Sequence, residues 1–394
     1  MPARTARRKR TMAKKTSEQG GGGRGPTARM KERDVATQRK ILVLAEEIAQ
    51  RSLEGREPVV EIPMRTKSNT IWNKRKGILE MGDGTAERPL FDLKTAKQFM
   101  QTMLHASTIK DLIEAQKTSS LRGVFYKAKH TVAGTKENTF DTQDESDPIL
   151  EDLEVALGAL REELHVFAEN RGSMVGNITI VDKGDEIDCR RMGSGGYALP
   201  SIVEPDIIQF KKCEAKFVLH VEKGTVWNRF NEDRFWETNN CILTHGAGQP
   251  PRGCRRLLQR LNHELKLPII CVLDNDPWGH YIYSVIKQGS ISLAFESTRL
   301  AIPDAKFLGI RAKDFRECGL DDAVKIDLTD NDIKRAREIL AYPWFDGHRG
   351  WQKEINALLS NGFKMEVESL ITKDISYVTE TYVPERIKAR DWLE

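Results

Sequence analysis

Between residues 216 and 310, apolar runs of strand length alternate with segments of helical spacing. The pattern predicts strands at 216–221, 241–244, 268–273 and 306–310, with helices at 223–235, 252–265 and 277–288 between them. Such a rhythm restricts the chain to an α/β unit with a mainly parallel sheet and helices on both faces. Two of the strands end abruptly in carboxylate: KFVLHVE at Glu222 and LPIICVLDND at Asp274 and Asp276. Open parallel sheets bind their ligands at the carboxyl ends of the strands, which share one edge. The 52 residues from Glu222 to Asp274 leave room for two βα units, so the three acids can converge on one site.

Carboxylates without His or Cys neighbours favour a hard divalent cation, and Mg²⁺ is commonly held between a few carboxylates and substrate phosphates. Pro277 suits the first turn of a helix that follows the second cluster. A DxD by itself also occurs as a simple capped turn; its pairing with a strand-end Glu is what points to a metal. Between the clusters lies THGAGQPPRGCRR, where Gly246 and Gly248 allow close backbone approach and Pro250 and Pro251 stiffen the loop. Arg252, Arg255 and Arg256 follow. The segment suits a phosphate-binding loop or a surface turn, and it is not a Walker A sequence because no GKS or GKT follows.

With 394 residues the chain exceeds the usual size of one core, so two or three domains are expected. Its net charge of +4 is uneven: residues 1–30 carry +8, leaving −4 on the remainder. The folded body must therefore meet nucleic acid through local basic patches. Residues 1–35 read as a disordered basic tail around Gly20–Gly23. Helical spacing at 36–51 and 93–115, a β-rich piece at 58–81, a helix at 149–170 and a β-hairpin at 177–189 outline a winged-helix domain over 36–190. Residues 136–148 read as a polar linker and 191–211 as a Gly- and Pro-punctuated connection. The α/β domain then spans 212–394 and ends in a helical extension anchored by Trp344 and Trp351. Six cysteines without a CxxC pair point to reduced, buried thiols in a cytoplasmic protein, and neither a secretory leader nor a membrane span is evident.

A short helix carries Ser119-Ser120-Leu121-Arg122-Gly123-Val124-Phe125-Tyr126-Lys127-Ala128-Lys129-His130. A tyrosine hydroxyl, with an ordinary pKa of about 10, becomes a nucleophile only beside a base, a cation or a metal-polarised phosphorus. Arg122 lies one turn earlier on the same face, placed to hold a phosphate or favour the phenolate. Read alone, Tyr126 is more simply an aromatic packed on a helix.

Three motifs in order, SLRGVFY, the Glu222/Asp274/Asp276 acids and GQPPRGCRR, resemble the A subunit of DNA topoisomerase VI, the type IIB family that includes the meiotic double-strand-break transesterase. The resemblance runs from about residue 36 to the C-terminus. It implies a CAP-like winged-helix domain followed by a Toprim domain, with Tyr126 as the nucleophile, Arg122 beside it, and Mg²⁺ on Glu222, Asp274 and Asp276. Lys127, Lys129, His130 and Arg255 would contact double-stranded DNA. Gly123 departs from many eukaryotic relatives, which place an acid there. The resemblance further implies a homodimer joined to a GHKL-type B subunit in an A₂B₂ enzyme, with ATP bound by that partner. Residues 36–51 are the candidate docking helix, and a nucleoid-associated cytoplasmic location follows. Rival readings are a Toprim nuclease or nucleotidyl transferase, a break-forming relative without strand passage, and a DNA-binding accessory protein.

Overall fold

The computed structural model describes residues 28–394, so the basic arm through residue 27 lies outside the described residues. The chain begins with helix α1 (Ala28–Leu53). The expected tail boundary at residue 35 is therefore too late. Asp34 is buried and accepts hydrogen bonds from Gln116 Nε2 at 2.7 Å and His165 Nε2 at 2.9 Å. Arg33 pairs with Asp206. Distant partners, not local apolar spacing, hold this first part of α1.

Strands β1 (Val59–Pro63), β2 (Thr70–Asn73), β3 (Ile78–Met81) and β4 (Thr85–Pro89) form two antiparallel pairs, β1 with β4 and β2 with β3. Helix α2 (Ala96–Glu114), the short strand β5 (Ser119–Ser120), and helices α3 (Leu121–Ala128) and α4 (Gln143–Ala156) follow, with β6 (Val166–Phe167) pairing parallel to β5. Ile109, Ile113, Val124, Leu150 and Leu153 make the core of this unit. The helix expected at 149–170 instead starts at Gln143, within the expected polar linker, and stops at Ala156. Asp144 and Glu145 favour its N-terminus, and Gly158, with a positive φ of 52°, turns the chain away.

Next come β7 (Ser173–Gly176), β8 (Ile178–Asp182), β9 (Asp185–Asp188), β10 (Tyr197–Ala198) and β11 (Ile208–Cys213). The β8–β9 hairpin was expected to be the wing of the N-terminal unit. It pairs instead with β11 in a three-stranded antiparallel sheet, and Ile178 and Ile180 pack in one core with Leu257, Leu258 and Leu261. The stretch expected as connection 191–211 supplies β10 and the start of β11.

The C-terminal unit contains β12 (Val218–Val221), α5 (Gly224–Glu232), α6 (Phe235–Thr238), β13 (Ile242–His245), α7 (Arg252–Leu265), β14 (Ile269–Val272) and α8 (Pro277–Gln288). It continues through α9 (Ser297–Leu300), β15 (Lys306–Phe307) and α10 (Asp314–Glu317). Its last elements are β16 (Ile326–Asp327), α11 (Asp330–Leu340), α12 (Arg349–Asn361), β17 (Phe363–Lys364) and α13 (Val383–Ala389). The sheet runs β10-β7-β13-β12-β14-β15, with β13, β12, β14 and β15 parallel, β7 antiparallel to β13, and β10 antiparallel to β7.

Alternate side chains of the parallel strands enter two cores. Val218, Ile242, Ile269 and Cys271 face α7, α8 and α12, whereas Leu219, Val221, Leu243 and Val272 face α5 and the segment 365–383. Strands buried on both faces leave polar side chains a place mainly at the ends. Trp344 and Trp351 are buried as expected, and Trp351 Nε1 donates to His280 Nδ1 at 3.0 Å. All six cysteines are unpaired, and five are buried. Among the described residues, no helix is long and apolar enough to cross a membrane.

Candidate active site

The register of β12 against β14 pairs Val221 with Val272, which brings Glu222 and the 274–276 segment to one sheet edge. Glu222 N donates to Val272 O at 3.1 Å, and Asp274 N approaches Glu222 Oε2 at 3.4 Å. Asp274 is buried, while Glu222 and Asp276 are half-buried and open on one side. Asp274 Oδ1 accepts from Val367 N at 2.8 Å, and its Oδ2 meets Lys223 Nζ at 2.8 Å. Asp276 caps α8 through Gly279 N. That close turn requires glycine, because a Cβ at 279 would lie 2.6 Å from Asp274 O.

Burial, together with the charges of Asp274 and Asp276, pushes the Glu222 carboxyl up to about 8. Burial likewise raises Asp274 to about 6 despite the opposing Lys223 ammonium. Asp276 is raised as well, again mainly by burial. Removal from water disfavours the charged form of all three carboxyls, and a cation bound among them would favour it. Asn275, buried beside them by backbone hydrogen bonds to Met365, has an unpartnered Oδ1. These all-oxygen donors fit a hard divalent cation. Among the described residues, however, no three His, Cys, Asp or Glu groups close into a cage; the acids line an open edge with Lys223 inserted beside Asp274.

The His245–Pro251 loop crosses this edge, with Gly248 N donating to Glu222 O at 3.0 Å. The arginines after it are otherwise engaged. Arg252 binds Glu154 at 2.5 Å, Glu296 at 2.7 Å and Glu151 at 3.1 Å, and Arg256 binds Glu204 at 2.8 Å. Arg255, expected to grip DNA, is 3% exposed, and its Nε and Nη1 have no partner. Burial and the neighbouring Arg252 lower its pKa to about 10. In this conformation it does not face a DNA backbone.

Tyr126 stands elsewhere, on α3, which packs against α2, α4 and the β5–β6 pair. Ser120 Oγ caps the helix by accepting from Gly123 N at 3.0 Å. The cap orients the helix so that Val124 and Phe125 are buried and Tyr126 is 57% exposed. Arg122 Nη2 donates to the Tyr126 hydroxyl at 3.3 Å, with its guanidinium 5.4 Å from the ring centre. The other basic neighbours are partly occupied: Lys127 pairs with Asp111 at 2.9 Å, and Lys129 donates to Asp141 O at 2.9 Å. His130 is exposed on one side. No hydrogen bond joins Tyr126 to the acidic edge of its own chain; Arg122 is its one hydrogen-bond partner among the described residues.

Two units of this kind, one presenting tyrosine and the other carboxylates, agree with the likeness to known proteins. Residues 217–387 match the Toprim domain shared by the topoisomerase 6 A subunit and Spo11, residues 97–166 match type IIB DNA topoisomerase, and residues 168–214 match the all-beta domain in DNA topoisomerase VI alpha subunit. The A subunit of type 2 DNA topoisomerase 6 from Aeropyrum pernix is 40% identical over 358 residues, covering 87% of this chain and 92% of that protein. Its counterpart from Pyrococcus horikoshii is 40% identical over 362 residues, covering 89% and 94%. The A3 subunit of DNA topoisomerase 6 from Oryza sativa subsp. indica is 34% identical over 352 residues, covering 89% and 77%. The chain belongs to the topoisomerase VI A-subunit family. It is thus a DNA-cleaving subunit of the type IIB class, an isomerase. The family's division also accounts for the β8–β9 hairpin, which falls within the all-beta match with β11.

Sequence reasoning missed two features of this site. One is the set of acids around Lys223: Glu366 at 3.1 Å and Glu368 at 3.3 Å, from a segment far downstream. The other is the buried network of Arg252 with α4. The i, i+3 spacing of Glu151 and Glu154 was its available signal, and it named no partner.

Proposed function

We propose that this chain cleaves and rejoins both strands of duplex DNA as the A subunit of an ATP-dependent type IIB topoisomerase. The observation that carries the reading is the exposed Tyr126 hydroxyl, held by Arg122 on a unit separate from the acidic edge. Tyr126 Oη attacks a backbone phosphorus as its proton leaves; the P–O3′ bond breaks, giving a 5′-phosphotyrosyl ester and a free 3′-hydroxyl. One ester replaces another, so the reverse attack reseals the strand. Arg122 steadies the phenolate and the phosphate. Glu222, Asp274 and Asp276 would hold Mg²⁺, which when bound supplies charge stabilisation at the scissile phosphate and the leaving oxygen.

A double-strand break needs two tyrosines, and a twofold homodimer supplies them. Each tyrosine would work with the acidic edge of the other protomer, a reading supported by Tyr126 having Arg122, and no acid of its own chain's edge, as its hydrogen-bond partner among the described residues. Helices α2–α4 with the β5–β6 pair would serve as the winged-helix DNA reader. Arg122, Lys127, Lys129 and His130 would meet backbone phosphates and give binding that weakens with salt. A GHKL-type B subunit would bind ATP and couple strand passage in an A₂B₂ complex. The enzyme would act in the cytoplasm, at the nucleoid.

The test is an SDS-stable protein–DNA adduct formed with Mg²⁺, ATP and the B partner. Wild type should yield adducts, and Tyr126→Phe should yield none. Adducts from Tyr126→Phe would remove the tyrosine from the mechanism. Cleaved DNA that stays free of protein would instead favour a Toprim nuclease.

A further inference from the structure

Lys223 lies in the gap between the two strand ends that carry the acids, directly after Glu222 and before the first turn of α5. Its ammonium touches Asp274 Oδ2 at 2.8 Å, Glu366 Oε1 at 3.1 Å and Glu368 Oε2 at 3.3 Å. We propose that Lys223 is an exchangeable counter-ion, neutralising Asp274 until a divalent cation takes that carboxylate and then turning its ammonium to the DNA phosphate at the same edge. This rests on the reading of the acidic edge given above and assigns a positioning role to a residue outside the carboxylate set.

Three features support the exchange. First, the carboxylates do not depend on Lys223 for their orientation. Asp274 Oδ1 is fixed by Val367 N at 2.8 Å, and Glu368 Oε1 accepts from the Thr225 hydroxyl at 3.0 Å. When the ammonium leaves, Asp274 Oδ2 still points to the same place, as a cation site requires. Second, Lys223 can leave. Its side chain is 27% exposed and Glu366 is 51% exposed, so one end of the bridge already reaches solvent. A lysine is a flexible point charge, unlike the planar, two-pronged arginine. Third, the charges do not balance. Two ammoniums, Lys223 and the Lys364 that pairs with Asp332 and acts on Asp276, face Glu222, Asp274, Asp276, Asp332, Glu366 and Glu368, so the edge has negative charge left for a further cation. An ammonium and a divalent ion compete for Asp274 Oδ2, since like charges a few ångström apart repel strongly. The incoming cation must displace the lysine. Once displaced, the ammonium remains tethered beside the edge, where a bound phosphodiester is the nearest new anion.

The exchange predicts an effect that a purely structural lysine would not produce. Removing a competitor strengthens metal binding, whereas removing a structural clamp weakens it. Mn²⁺ binding to the full chain, without DNA, is measured by electron paramagnetic resonance for wild type, Lys223→Met, Lys223→Gln and Lys223→Arg. The Met and Gln variants should bind Mn²⁺ about tenfold more tightly. The Arg variant should stay within about twofold of wild type, because it keeps the competing charge. Unchanged or weaker binding in both neutral variants overturns the proposal.

The second arm uses the complete enzyme at saturating Mn²⁺. Adduct yield should fall at least about tenfold in Lys223→Met even though the metal is held more tightly. Tighter metal with wild-type adduct yield would overturn the handover to phosphate. Failure of the tyrosine reading shows as the absence of adducts in wild type, and leaves the Mn²⁺ comparison to decide the exchange.

Discussion

Glu154 offers the most direct test of how the tyrosine unit is fixed on the acidic unit. It lies on α4 with 0% exposure, and its two oxygens serve different partners: Oε1 accepts from Arg161 Nε at 2.6 Å and Oε2 from Arg252 Nη1 at 2.5 Å. Arg161 belongs to the N-terminal unit, whereas Arg252 opens α7 beside the acidic edge. Glu154→Gln keeps the volume and removes the charge, leaving two guanidinium groups across an amide. Each pair is worth about 4 kcal/mol at a charge separation of roughly 4 Å and an effective dielectric near 20, before desolvation is counted. Stripping one partner from a buried cluster costs about 3–5 kcal/mol. Glu151 and Glu296 still contact Arg252, at 3.1 Å and 2.7 Å. They place the expected loss near the lower end, about 3 kcal/mol. Urea unfolding followed by tryptophan fluorescence measures it, and a double-mutant cycle with Arg252→Gln should give a coupling of at least about 1.5 kcal/mol. The variant should bind Mn²⁺ like wild type but cleave DNA less, because the lesion loosens the position of α3 and leaves the carboxylates intact. A loss under about 1 kcal/mol, or a coupling near zero, would refute the claim that this pair locks the two units together.

Mixing Tyr126→Phe with Asp274→Asn subunits should restore single-strand nicking to about a quarter of the wild-type level, since random pairing makes half the dimers mixed and each has one intact site if tyrosine and acids come from different protomers; no nicking would place both in one protomer. Gly279→Ala puts a methyl 2.6 Å from Asp274 O and should cost about 1–3 kcal/mol with at least a tenfold loss of Mn²⁺ affinity; unchanged calorimetric binding would remove the close turn from the site. His105, stacked on Phe140 and bonded to Ser146 at 3.0 Å, is lowered by burial to about 4. Because its folded pKa lies below the unfolded value, the unfolded chain takes the proton first; the stability present above about pH 6.5 is lost as pH falls toward 4. His105→Gln should therefore lose about 2 kcal/mol less than wild type between pH 7.5 and 5 in urea melts, and equal losses would show that His105 does not set this dependence.

What was legible in the sequence follows from how far each residue's partner lies along the chain. The four residues of β12 and of β14 are buried on both faces of the sheet, so their apolar runs announce themselves, and Glu222 and Asp274 appear where each run stops. Helix α8 is equally local: Asp276 caps it, Pro277 opens it, and Gly289, at φ 97°, closes it. The β8–β9 hairpin was also visible, but its third strand was not, because β11 begins 20 residues after β9 ends and only tertiary pairing chooses between a wing and a separate sheet. Charge is the least legible of all. Ala28 to Val35 has the composition of a basic tail, yet Asp34 finds His165 and Arg33 finds Asp206, which makes the segment helix. By the same mechanism Arg252 resembles a phosphate ligand in sequence and becomes a structural cation once α4 delivers Glu151 and Glu154 to it. An acid at a buried strand end has few places to go, so its position can be read from the pattern. A basic residue on a surface helix takes whichever carboxylate the fold brings near. Lys223 belongs to both cases, fixed in place by the strand end and partnered by acids from a distant segment.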